Sequence, residues 1–153
     1  MTELRESIPL EVPADQAERC ILQYFERYRK PDGIIEIPLQ VMLADFGVPG
    51  GVSISRAVTV HVKKQRDAQN LNDEIAMSWD PGQGQPFPSL RGTLTVWGES
   101  RKNAYIELRG TYEPPLGAAG QIFDDTVGRL IAKRTARQFL LTLAEGAQTC
   151  FQP

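Results

Sequence analysis

Histidine occurs once in the 153 residues, as His61, and cysteine twice, as Cys20 and Cys150. So few soft ligands exclude a zinc cluster built from those side chains. Cys20 falls on the apolar face of a predicted helix and Cys150 near the C-terminus. The expectation is therefore two unpaired thiols in a reducing, cytoplasmic setting. The net charge is −2, so no global field draws the chain to nucleic acid or anionic membrane. No stretch approaches the roughly 18 consecutive apolar residues of a membrane span. The first residues, Met1-Thr2-Glu3-Leu4-Arg5-Glu6, lack the basic and then apolar pattern of a secretory signal. There is no nucleophile elbow, phosphate loop or dinucleotide fingerprint; Gly82-Gln83-Gly84 lacks the rest of that pattern. No repeat, linker or low-complexity run divides the chain, which reads as one domain over residues 1–153. A chain this long buries about 70% of its extended surface, enough for a core without metals or disulfides.

What is present is alternation. Leu4, Glu6, Ile8, Leu10 and Val12 stand on one side of residues 4–12, and Arg5, Ser7, Pro9 and Glu11 on the other. That is a half-buried strand, which Pro9 directs to a sheet edge. Further strands are predicted at Ile34–Leu43, Val52–Gln65, Asp73–Trp79, Arg91–Trp97 and Ala104–Tyr112. In the longest, Ile54, Val58, Val60 and Val62 oppose a set that includes Thr59, His61 and Lys63, so His61 reads as solvent-facing rather than as a base. Short links without crossover helices make the strands an antiparallel meander. Its apolar face needs a cover.

Two helices supply it. In Ala14–Lys30, the residues Ala17, Cys20, Ile21, Tyr24, Phe25 and Tyr28 share one face. Pro13, Asp15 and Glu18 suit its start and Pro31-Asp32-Gly33 its end. The second helical pattern follows Thr111-Tyr112-Glu113-Pro114-Pro115-Leu116-Gly117 and runs to about Gln148, roughly 45 Å at helical rise. Phe123, Val127, Leu130, Arg134, Arg137 and Leu141 form one stripe along it; Ala136, Phe139, Leu140, Leu143 and Ala147 form another, rotated from the first. Gly128 costs this helix about 1 kcal/mol against alanine. Asp124 and Asp125 complement the dipole at its start. In the meander, the connections at Asp45–Gly51, Asp80–Ser89 and Glu113–Gly117 share one end, where they would flank the mouth of a cavity.

The segment Arg109-Gly110-Thr111-Tyr112-Glu113-Pro114-Pro115-Leu116-Gly117, running into the long helix, resembles the closing strand and helix of the START/Bet v 1-like superfamily. That group, also called SRPBCC, includes polyketide cyclases and lipid-transfer domains, and the element order over nearly the whole chain agrees with it. The resemblance implies an α+β helix-grip fold. In it a curved antiparallel sheet wraps a long C-terminal helix, and a shorter helix lies between the first and second strands. It also implies an interior cavity for an apolar or amphipathic ligand, with no cofactor. Alternation then nominates Val60, Val62, Met77, Trp79, Leu94, Val96, Ile106, Leu108 and Tyr112 as its lining, with Phe123, Val127 and Leu130 from the helix. Met77 and Trp79 lead, for adaptable shape and for area with one polar handle. Every one of these side chains also suits a filled core. Lys133, Arg134 and Arg137 read by default as a solvated helix face; Arg134 or Arg137, if turned inward, would meet a ligand carboxylate or phosphate through a guanidinium fork.

The resulting expectation is a protein that binds a small hydrophobic or amphipathic ligand, such as a lipid or polyketide-like molecule. It has no nucleic-acid partner and no stable membrane insertion, and a homodimer is left open. The alternatives are a cyclase- or dehydratase-type enzyme using the same cavity, with Tyr112 and Arg134 as its polar groups, and a non-catalytic interaction scaffold.

Overall fold

Alternation becomes one sheet of six strands in the computed structural model, which describes residues 2–42, 53–66, 73–80, 89–98, 104–113 and 125–151. In chain order the elements are β1 (Thr2–Leu10), α1 (Ala14–Arg27), β2 (Ile35–Met42), β3 (Ser53–Arg66), β4 (Asp73–Asp80), β5 (Ser89–Gly98), β6 (Ala104–Glu113) and α2 (Asp125–Phe151). The sheet order is β1-β6-β5-β4-β3-β2, and every neighbouring pair is antiparallel. The expected strands are all there, with ends shifted by a residue or two. The turn expected at Asp45–Gly51, the loop between Asp80 and Ser89, the corner after Glu113, Asp124 and Phe123 lie outside the described residues. The register does bring the strand ends that lead into those connections to one end of the sheet.

The sheet is strongly staggered. β2 pairs with residues 53–60 of β3, and β4 with residues 59–66, so the two partners overlap only at Thr59 and Val60. Residues 53–58, roughly 20 Å of strand at about 3.4 Å each, carry β2 past the end of β4. At the other side, Gly92 and Gly110 face each other across β5 and β6. A Cβ on Gly110 would collide with the Arg91 carbonyl oxygen, and one on Gly92 would lie 2.5 Å from the Arg109 carbonyl oxygen. Only glycine permits this close approach of the two strands.

Helix α1 starts at Pro13, whose carbonyl accepts from the Gln16 and Ala17 N–H groups at 2.9 and 3.0 Å. It stops at Arg27, earlier than Lys30, because the chain turns back at once: Lys30 N–H bonds the Ile34 carbonyl at 2.8 Å, and Arg29 bridges to Ile35. Its inward face buries Ala17, Cys20, Ile21, Tyr24 and Phe25, as the spacing predicts, while Tyr28 is exposed.

Helix α2, about 40 Å long, is built from strong helix formers with no proline. Of its two stripes, the one it buries is Ala136, Phe139, Leu140, Leu143 and Ala147, extended by Ala132 and Ala144. Arg134, Arg137 and Leu141 of the other stripe are exposed. It packs on α1, on β6, and on β1 and β2, which are the two edges of the sheet. Gly146 makes the helix–helix contact close, since a Cβ there would collide with the Tyr24 ring.

Replacing Gly110 by alanine forces the β5–β6 backbones apart at this pair. The expected cost is about 1–3 kcal/mol, the range for overpacked sites, read as a lower midpoint in urea unfolding. An unchanged midpoint means the two strands are not pressed together there.

Candidate functional site

Ladder register converts the strands into rows of side chains on the inner, helix-facing side. One row runs Ile8, Ile106, Val96. The next is Glu6, Leu108, Leu94, Ile75, and then Leu4, Gly110, Gly92, Met77, Val62. The last runs Tyr112, Leu90, Trp79, Val60, Ile35. The third row has no side chain at its centre. Its floor is bare backbone, flanked by Leu94 and Leu108 on one side and by Leu90 and Tyr112 on the other. This is the place on the inner face where two neighbouring strands both lack a side chain.

Of the residues nominated from sequence, Val60, Met77, Trp79, Leu94, Ile106, Leu108 and Tyr112 are buried on this face. Val62 and Val96 are half-buried and pack against the same core. Val127 and Leu130 belong to α2, in a part whose side chains are outside the description, and Phe123 precedes the described helix. Arg134 is exposed instead of turned inward, and Arg137 is exposed and faces Glu6.

Sequence reading passed over three contributors. Phe139 is the helix residue that meets the mid-sheet: its ring lies 5.2 Å from Trp79 and 6.3 Å from Phe25. Tyr24 and Tyr28 continue the contact outward, with centroids 5.7 Å from Phe25 to Tyr24 and 5.2 Å from Tyr24 to Tyr28. These five rings form a pillar from the outer end of α1 through α2 to β4. The Gly92–Gly110 pair is the second omission, although a lone glycine within a strand pattern signals a bend or a close approach. Glu6 is the third. It stands in the inward set of β1, its side chain is 6% exposed, and Lys133 Nζ and Arg137 Nη1 of α2 each lie 3.6 Å from it.

Electrostatics inside the site are sparse. Glu6 and Tyr112 are polar groups of the inner face, but their rows stand four residues apart along the strands, about 13 Å. They do not converge on one point. Tyr24, at the far end of the pillar, has its phenol pushed up by burial and by Tyr28, so it stays neutral.

The outer face differs in character. His61, Ser78, Arg91 and Thr111 are in register across β3, β4, β5 and β6. With Asp80, Ser89, Trp79 and Leu90 they line a depression of about 440 Å³. His61 is exposed there, as its alternation predicts. Among the described residues no group of three or more His, Cys, Asp or Glu side chains is placed to hold a metal. None of the described helices is long and apolar enough to cross a membrane.

Solved structures share this arrangement. The chain matches the Zhui aromatase/cyclase from Streptomyces sp. R1128 at 13% identity and a TM-score of 0.53, covering 96% of this chain and 93% of that one. It matches a conserved protein from Geobacillus kaustophilus at 10% identity and a TM-score of 0.59, over 99% and 98% of the two chains. It also matches the di-domain aromatase/cyclase BexL of the BE-7585A biosynthetic pathway at 16% identity and a TM-score of 0.51, over 97% of this chain and 46% of that one. No protein-family model and no curated protein matches the sequence. At these identities the likeness is one of fold. The chain has the START/Bet v 1-like, or SRPBCC, helix-grip fold.

If Phe139 joins helix to sheet, Phe139→Ala removes about 3–5 kcal/mol of stability. Leu141→Ala, on the 46%-exposed position two residues on, changes it by about 0.5 kcal/mol or less. Chemical denaturation of both variants checks the assignment of faces; similar losses from the two would overturn it.

Proposed function

We propose that the protein holds a small hydrophobic or amphipathic ligand between the inner face of the sheet and α2, within a single domain and without a cofactor. One observation carries the reading. Helix α2 reaches both edges of the sheet, while the inner rows are apolar apart from Glu6 and Tyr112, and one row has Gly92 and Gly110 in place of side chains. A vault of that kind recognises apolar surface. It suits a ligand that gains about 25 cal/mol per Å² buried, with one polar group to orient it. Met77 flanks the glycine pair on one side and Leu4 on the other; Trp79 stands one row away. These three residues, with Leu90, Leu94, Leu108 and Tyr112, are the proposed ligand contacts. The cytoplasmic setting belongs to the same proposal.

Catalysis is the second reading, because two of the structural matches are described as aromatase/cyclases. In this chain it would rest on Tyr112, buried in the inner wall and able to donate through its phenol. A cyclase or dehydratase needs a second group opposed to the first. Glu6 stands too far along the strands to be that group.

Native mass spectrometry of the purified protein, incubated with fatty acids, phospholipids and aromatic polyketide-like compounds, separates these readings. The expected result is a retained one-to-one complex with at least one class. At a ligand concentration about 100 times its Kd, the complex gains about 2.7 kcal/mol of stability. Tyr112→Phe should keep that complex if the protein only binds, and should abolish turnover if it is a cyclase. No retained molecule from any class, and no thermal shift, overturns the binding proposal.

A further inference from the structure

The two helices bring the chain's only two cysteines together, although 129 residues separate them in sequence. Cys150 Sγ, near the end of α2, donates to Gln23 Oε1 at 2.6 Å and lies 4.0 Å from Arg19 Nη1. Arg19 and Gln23 are one turn apart on α1, so a sulfur that touches both stands beside the residue between them on the inward side, Cys20. Both thiols are free, and Cys150 is near enough to help push up the Cys20 thiol. Cys20 is fully buried; Cys150 is half-buried at the margin of the core.

We propose that Cys20 and Cys150 form an oxidative modification site, where a low-molecular-weight disulfide of the glutathione class closes a Cys20–Cys150 bond between α1 and α2. The order of steps follows from accessibility. Cys150, reachable from solvent and beside the Arg19 guanidinium, attacks first as thiolate: it forms a bond to one sulfur of the small disulfide, whose S–S bond breaks and releases one thiolate. Burial, with the neighbouring Cys150, pushes the Cys20 thiol up to about 11, so it is the slower, resolving group. Its thiolate attacks the Cys150 sulfur, forms the protein disulfide and expels the second small thiolate. The two protons lost by the protein are taken up by the two departing thiolates. Two protein thiols are oxidised and one small disulfide is reduced to two thiols, so the exchange balances.

The bond ties the last turn of α2 to the middle of α1, away from the bare glycine row. It uses none of the proposed ligand contacts, and its test is independent of the binding proposal. It also closes a loop over most of the chain, which restricts the unfolded ensemble.

The test is incubation of the reduced, full-length protein with oxidised glutathione, followed by intact-mass measurement, peptide mapping and thermal unfolding. The expected product is a monomer lighter by two hydrogen atoms and free of glutathione. Its Cys20 and Cys150 peptides are joined, and its thermal midpoint is several degrees higher, reversibly with dithiothreitol. Cys20→Ala should stop at one stable glutathione on Cys150, and Cys150→Ser should remain unmodified. A wild-type protein that keeps both thiols, retains glutathione on Cys150, links two chains, or crosses over without any rise in midpoint overturns the proposal.

Discussion

The structure depends on one geometric demand: a single helix has to serve both edges of a six-stranded sheet. β1 and β2 are the outermost strands, and α2 packs on both. The demand is met locally. At Gly92 and Gly110 two backbones approach so closely that no Cβ fits between them, and along β3 the two neighbouring strands share almost no common length. The first presses two strands together and the second slides one edge beyond the other. Both act through the backbone, so they persist whatever fills the interior.

Bending a sheet over a helix leaves the mid-sheet strands standing away from it, and something has to hold that separation. The pillar of Tyr28, Tyr24, Phe25, Phe139 and Trp79 does so. Aromatic rings suit the task because each covers a long distance with few rotatable bonds and gains from edge and offset contacts as well as from area. The pillar also divides the inner face of the sheet. Trp79 fills its own row, whereas the neighbouring row is open at its centre.

Much of this was legible in the chain. Period-two patterns found all six strands, and parity assigned Val60, Met77, Trp79, Leu94, Ile106, Leu108 and Tyr112 to one side, because alternation over a half-buried sheet leaves little freedom. The long helix was legible too, but not its orientation. Two stripes competed, and the one that included Val127 and Leu130 also carried Arg134, Arg137 and Leu141, which face water. Pattern alone weighs a leucine the same on either stripe; only the contact of Phe139 with Trp79 decides between them. Glu6 was hidden for a related reason. Its alternation placed it inward, yet the two cations that make an inward carboxylate tolerable come from a helix more than a hundred residues later. The meeting of Cys20 with Cys150 is likewise a product of helix docking, which no local spacing encodes.

The charges add a last asymmetry. Glu6 and Glu107 lie on opposite faces of the β1–β6 ladder, in adjacent rows, and each is 7% exposed. Glu6 is met by Lys133 and Arg137, and Glu107 by Arg5 at 3.1 Å and Arg109 at 3.6 Å. All four cations are more than half exposed, so water screens these pairs and each contributes little to stability. At Glu6 a buried carboxylate is held against two exposed cations of α2. Parting α2 from α1 exposes Tyr24 against Gly146 and Phe25 against Phe139, contacts that water cannot replace. The two sides of the grip helix are thus unequal. The α1 side is joined by aromatic contacts, and the β1 side combines buried Ile8 and Leu10 with the charged pairs at Glu6.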